Sequence, residues 1–273
     1  MTATAARAEA APYVEASFNY IAPDCHYSIL YEEEREASTL RFEPHVARIH
    51  DGRAAGGFTL EANGFELIRH ESAADLFDPA QVATTYRAEV EAIIKEKTGA
   101  TDVLMFGEVL RREPDPTGKA YQPARSVHVD FDEKTVRNFV RGMVSPQEAD
   151  RLLAKKRIVL MNLWRGLTTV ERAPLAVCDA STIAAGDLRT GDIGGRAADA
   201  PWGWTGYNIA HNPAHRWWWF PRMAPDEVLL FKLCDSDKDR VQLTAHTAFD
   251  DPASALDASP RQSLEVRTIS FYD

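Results

Sequence analysis

Short apolar runs separated by turn residues dominate the chain, and most alternate with a period nearer two than 3.6. In the first half, residues 38–42, 46–50 and 103–110 read as strands. Between them, 57–61, Asn63-Gly64 and 65–69 have the form of a hairpin, because Asn-Gly accepts the positive φ of a two-residue turn. After residue 157 strands prevail: 158–164, 175–178, 206–209, 216–221, 227–233, 242–249 and 263–272. Two segments break the pattern. Val82, Val90, Ile93 and Ile94 recur at helical spacing, with Asp78-Pro79 suited to the start of a helix and Gly99 to its end. Ser145-Pro146-Gln147-Glu148 supplies an N-cap, a first-turn proline and a capping acid for a second helix reaching residue 156. Residues 113–122 hold Pro114, Pro116 and Gly118 and read as a loop. The pattern predicts a mainly β fold, a sandwich or jelly roll, with flanking helices from the N-terminal half. We expect one domain, in which strands and a helix of 1–115 pack on a core formed by 116–273.

Charge narrows the partners. The 41 acidic side chains outnumber the 31 basic ones, a net −10, which disfavours nucleic acid and anionic membrane. The most basic run, 154–157, reads as a solvated helix end. Cys25, Cys178 and Cys234 are odd in number and include no CxxC pair, so a reducing cytoplasm is expected rather than a disulfide framework. No apolar run is long enough to span a bilayer, and MTATAARAEAAP lacks the apolar heart of a signal peptide. These features predict a cytoplasmic protein with a small-molecule ligand and leave room for a homodimer.

The candidate chemistry begins at Ser126-Val127-His128-Val129-Asp130-Phe131. Alternate side chains of a strand share a face, so His128 and Asp130 stand side by side. A histidine from a distant strand would complete two imidazoles and one carboxylate on one face of a metal, with open positions opposite, as in non-haem iron(II) oxygenases. His246, in the late strand-like run 242–249, is the candidate. The final strand places Arg261, Ser263, Glu265 and Arg267 on one face. An arginine fork suits a carboxylate such as the distal end of 2-oxoglutarate. Spacing does not choose between Arg261 and Arg267, although Ser263 beside Arg261 favours the former. The plainer reading is an exposed charged face on which Glu265 pairs an arginine.

The order HxD, distant histidine, then arginine resembles that of the double-stranded β-helix oxygenases. The runs His215-Arg216-Trp217-Trp218-Trp219-Phe220-Pro221 and 226–236, with the context of His246, are similar to a fungal and bacterial branch of that superfamily. That branch includes gibberellin desaturase-like proteins and the cephem-methoxylase component family. The resemblance covers about residues 120–273. It implies a double-stranded β-helix (jelly roll) holding iron(II) through His128, Asp130 and His246. It also implies 2-oxoglutarate and O2 as co-substrates, and hydroxylation or desaturation of a small molecule in specialised metabolism. The step from His246 to Arg261 is longer than the superfamily's usual one; 250–252 and 258–260 read as a loop that absorbs it.

Other residues have weaker claims. Asn162 and Tyr207 are candidates to hydrogen-bond 2-oxoglutarate, and Arg165 and Arg216 to hold an acidic group of the substrate. Trp217 and Trp219 belong to a tryptophan-rich stretch with Trp202, Trp204 and Trp218, which is either an aromatic wall for substrate or core packing. His211 and His215 are four apart, but Pro213 between them argues against a helical zinc pair. Two rival functions stay open: a cupin-like metal dioxygenase that does not use 2-oxoglutarate, and a non-catalytic small-molecule-binding jelly roll that partners another enzyme.

Overall fold

The computed structural model describes residues 12–31, 33–112, 122–194 and 204–273. The strands β1 (Tyr13–Ile21), β2 (Tyr27–Tyr31), β3 (Phe42–Asp51), β4 (Phe65–Arg69) and β5 (Asp102–Arg112) come first. They are followed by β6 (His128–Val129), β7 (Arg157–Gly166), β8 (Leu175–Cys178), β9 (Leu188–Gly194) and β10 (Trp204–Ile209). Last are β11 (Trp217–Trp219), β12 (Glu227–Asp235), β13 (His246–Ala248) and β14 (Gln262–Tyr272). Among the described residues they form a nine-stranded sheet, β1-β3-β11-β8-β13-β6-β10-β9-β2, and a five-stranded sheet, β4-β12-β7-β14-β5. The two sheets face each other as a jelly roll whose N-terminal strands extend both sheets.

Burial explains the sequence pattern. In β7, Ile158, Leu160 and Trp164 join the core between the sheets, while Val159, Met161 and Leu163 join a second core on the outer face. After a short helix α1 (Gly52–Ala55) and the helical turn α2 (Pro79–Gln81), the helix α3 (Arg87–Thr98) adds Val90, Ile93 and Ile94 to that outer core. Strands buried on both faces lose polar alternation, and every residue of β12 is buried. The helix begins as expected: the Asp78 side chain accepts from the Ala80 N–H ahead of α2 (Pro79–Gln81), and Gly99 closes α3 at φ +73°. Between α2 and α3 the segment Val82–Tyr86 widens to a π-turn.

The structure corrects several local expectations. Residues 57–61 form no strand. Gly64 does take φ +83°, but β4 pairs with β12, and Phe58 packs on Phe65 instead of continuing a hairpin. Tertiary pairing outcompetes the local turn signal here. Strands β1, β2 and β9 were not foreseen. Nor was a helix, α4 (Glu133–Met143), that Asp132 caps by accepting from the Thr135 N–H. Its signal was Val136, Phe139 and Val140 at helical spacing. It precedes α5 (Pro146–Leu153), whose Ser145 cap forms as expected. Of 242–249, only β13 pairs as a strand. Trp202 and most of the 113–122 loop lie outside the described residues.

A buried ion network steadies the approach to β13. Lys232 is 1% exposed, and its Nζ lies 2.9 Å from Asp235 Oδ2 and 3.1 Å from Glu61 Oε2. Arg157 reaches both acids as well. The Thr244 N–H donates to the Lys232 carbonyl (2.8 Å), which ties the segment leading to His246 onto β12. Lys232→Met should cost about 3 kcal/mol in urea unfolding, the low end for a broken buried pair because Arg157 still faces Asp235. A loss below about 1 kcal/mol would show the network to be superfluous.

Candidate active site

Three adjacent strands build the centre. On β6, His128 pairs with His246 of β13 on one side and with Asn208 of β10 on the other. The two imidazole rings stand 4.4 Å apart, and Asp130 follows two residues after His128. One ligand atom from each of His128, Asp130 and His246 lies within 4.8 Å of the others. Asp130 Oδ1 is 3.4 Å from His128 Nε2 and 4.0 Å from His246 Nε2. Bonds of about 2.1 Å at right angles to one metal would put neighbouring donors about 3 Å apart, so a slight contraction closes the set.

Hydrogen bonds already commit each ligand. His128 Nδ1 donates to the Ser126 carbonyl (2.7 Å) and His246 Nδ1 to the Thr244 carbonyl (3.3 Å). A carbonyl only accepts, so in each ring the proton sits on Nδ1 and the Nε2 lone pair points at Asp130. Burial, with the charge of His128 next, pushes the His246 pKa down to about 3, so the ring is neutral and able to bind metal. Asp130 is buried, which favours its neutral form. The Arg267 guanidinium, with the two imidazoles beside it, outweighs burial and holds the carboxyl well below its usual range. Its Oδ2 faces Arg267 Nη2 (3.6 Å) and accepts from Asn162 Nδ2 (3.2 Å), leaving Oδ1 for the histidines. The donor set of two neutral nitrogens and one carboxylate, open on one side, fits iron(II).

The open side faces a cleft of about 610 Å³, in the range of small-molecule sites. His128, Asp130, Tyr207, Arg267 and Arg111 line it. Backbone approach is close here: a Cβ on Gly206 of β10 would meet the Asp130 carbonyl oxygen at 2.4 Å and that of Val129 at 2.6 Å.

The other candidates scatter. Arg267 lies beside the metal ligands, with its Nη2 also 2.9 Å from Glu265 Oε1. The pairing of Glu265 with an arginine is as anticipated, but this face of β14 is buried and points inward. Arg261, 2% exposed, lies deeper: its Nη1 donates to the Ala173 carbonyl (2.6 Å) and its guanidinium stacks 5.5 Å from the Trp164 ring. Ser263 is fully buried, and its Oγ finds no hydrogen-bond partner among the described residues; the same holds for Asn162 Oδ1. Such orphaned polar atoms fit a polar guest.

Arg165 leaves the site altogether. Odd-numbered residues of β7 point away from the inner face, and Arg165 bonds the carbonyls of Pro225 and His70 under Tyr86. Arg216 is largely exposed and pairs with Asp179, away from the cleft. Trp217 and Trp219 are core residues and do not line the cleft; Trp217 Nε1 donates to the Tyr20 hydroxyl (2.8 Å). His211 stacks on His45 (4.0 Å) and His215 bonds Asp187, so neither forms a zinc pair. Sequence reasoning missed Arg111, Gly206 and the tie from Asn162 to Asp130. Only the alternation of Val109 and Arg111 towards one face signalled the first.

Comparison with known proteins agrees with this geometry. A family described as "Oxidoreductase/YMDC permease-like domain" matches residues 18–271. A hydroxylase/desaturase of Hormonema carpetanum, efuI, is 30% identical, with 87% of each chain covered. The alpha-ketoglutarate-dependent dioxygenase phiK of a fungal species is also 30% identical, over 95% of this chain and 96% of its own. The chain belongs to the iron(II)- and 2-oxoglutarate-dependent oxygenases. The Fe(II)/2-oxoglutarate-dependent dioxygenase nvfI of Aspergillus novofumigatus is 29% identical over 95% of this oxygenase and 97% of its own chain. A solved structure of the iron and alpha-ketoglutarate-dependent endoperoxidase NvfI superposes with a TM-score of 0.86 at 28% identity, covering 95% of this oxygenase and 98% of that chain. Its cofactor and co-substrates are accordingly iron(II), 2-oxoglutarate and O2. No helix among the described residues of the oxygenase is long and apolar enough to cross a membrane.

Proposed function

We propose that His128, Asp130 and His246 hold the iron of this oxygenase, and that Arg261 with Ser263 binds the far carboxylate of 2-oxoglutarate. The enzyme then hydroxylates or desaturates a small organic molecule in a tailoring step of specialised metabolism. The convergence of the three ligand atoms at the head of a cleft carries this reading. When bound, iron with 2-oxoglutarate and O2 supplies the oxidising power, yielding succinate and CO2 as the substrate loses hydrogen or gains oxygen. The chain's own residues do the rest. Asp130 and the two histidines fix which side of the metal is open, and Phe131 and Phe231 border the ligands and exclude water.

The geometry favours Arg261 over Arg267 as the clamp. Arg267 already faces two carboxylates, one of them the metal ligand. A chelating 2-oxoglutarate would carry its far carboxylate two methylenes beyond its keto carbon, and the buried Arg261 guanidinium beside Trp164 would answer that charge. Asn162, next inward from Asp130, fits the near carboxylate through its unpartnered Oδ1 side only if its amide reorients; Tyr207 fits the substrate side of the cleft better than the co-substrate. We read residues 1–115 and 116–273 as one unit, because strands of the first part complete both sheets. The free cysteines support a cytoplasmic enzyme, and the acidic balance one without nucleic-acid or membrane partners.

Anaerobic protein with iron(II) and 2-oxoglutarate should show a weak visible charge-transfer band and, in air, form succinate. Arg261→Met should raise the 2-oxoglutarate concentration that half-saturates the band on the order of 10- to 100-fold, as loss of a buried charge-assisted pair implies. A wild-type protein with no band and no succinate would falsify the reading. Unchanged half-saturation in the variant would remove Arg261 from it.

A further inference from the structure

The cleft runs from the metal ligands across β6, β10, β9 and β2, strands that lie side by side in that order. One part of its wall is apolar, formed by Leu30, Leu40, Val109, Phe131, Ile193 and Trp204, and polar residues line the rest. Arg111, from β5, breaks that wall. It lies opposite Ser263 in the β5–β14 register and so shares the inward face with Ser263, Glu265 and Arg267. Its side chain is only 15% exposed.

Its partners among the described residues are few. Arg111 Nη1 donates to the Gln122 carbonyl (3.0 Å). The nearest acid among the described residues, Glu265, offers Oε2 at 4.0 Å, and its other oxygen is 2.9 Å from Arg267. A largely buried guanidinium normally has a carboxylate in contact, and this chain has acids in excess. Among the described residues the fork faces the cleft with its charge only partly answered. Arg35, at the far rim of the cleft, is exposed to solvent and screened, so it is the weaker anchor.

We propose that the substrate is an amphipathic organic acid whose carboxylate docks on Arg111 beside the metal ligands while its apolar body lies along the Leu30–Trp204 wall. This rests on the oxygenase reading and adds the chemical class of the substrate. It also replaces Arg165 and Arg216 as the residues for an acidic group. The planar fork favours a carboxylate held by two bonds over a neutral isostere.

A matched pair of probes tests it: 6-phenylhexanoate and its neutral amide. Each is titrated by equilibrium dialysis against anaerobic protein carrying iron(II) and 2-oxoglutarate. The acid should bind on the order of 10-fold more tightly than the amide, as one charge-assisted contact implies. Arg111→Gln should bring the ratio near one while the 2-oxoglutarate Kd stays within about twofold; Arg111→Lys should keep part of the preference. Arg35→Gln should change the ratio by less than about threefold. A ratio near one in the wild type, or a preference retained in Arg111→Gln, overturns the proposal. So does a variant that loses 2-oxoglutarate affinity instead, which would make Arg111 the co-substrate clamp. Loss of the visible band in the wild type would instead strike the oxygenase reading itself.

Discussion

Protein carrying His128→Ala should bind no iron(II) tightly and show no visible band with 2-oxoglutarate. A partner standing behind a ligand is worth about 10- to 100-fold in affinity or activity, so deleting the ligand should cost on the order of 1000-fold or more. His128 is the ligand to choose because it lines the cleft and is only partly buried, whereas His246 is packed against Phe231 in the core. Its loss leaves β6 and its pairing to β10 intact. Thermal melting of the metal-free variant should therefore stay close to wild type, while an anaerobic iron(II) titration loses its saturable phase. Retained tight binding would mean that the metal sits elsewhere.

Gly206→Ala should damage the same centre without touching a ligand side chain. The new methyl would fall on the backbone oxygens of Asp130 and Val129 at 2.4 and 2.6 Å, closer than any real Cβ contact. Backbone cannot rotate out of the way as a side chain can, so β10 and β6 must part and Asp130 must move. Overpacking of this kind costs about 1–3 kcal/mol of stability. Because the displaced backbone carries a ligand, iron affinity should fall about 10- to 100-fold as well. Gly191→Ala is the comparison. Its Cβ would meet the Asn208 amide at 2.8 Å and the Ser28 hydroxyl at 2.9 Å, ends of side chains that can shift. Its effect on iron affinity should be much smaller. Equal affinities in Gly206→Ala and wild type would refute the close approach as a constraint on the site.

The arginines show where linear reasoning stops. Arg165, Arg216, Arg261 and Arg267 were all candidates for anions, and the sequence ranks them only by neighbours. The fold sorts them by depth and direction. Arg165 points to the outer core and ties two carbonyls, Arg216 lies at the surface, Arg267 backs the metal ligand and Arg261 sits behind Trp164. Alternation gave Arg111 a face but no role, because that role depends on β5 pairing with β14 in one register, a contact between residues about 150 apart in sequence.

Local rules thus decided a good deal: strand-rich character from two-residue alternation, the helix ends at Asp78 and Gly99 and the cap at Ser145, and the side-by-side stance of His128 and Asp130. These depend on neighbours a few residues away, which the sequence lists in order. The partnership of those two residues with His246 was legible through resemblance and order along the chain. That β13 lies directly beside β6, with both Nε2 atoms turned on one carboxylate oxygen, follows from sheet order. The depth of each arginine, the closeness of Gly206 to Asp130 and the walls of the cleft were likewise set by tertiary structure. They depend on which distant strands pair and which face each turns inward, and a shift of one residue in register would reverse every such choice.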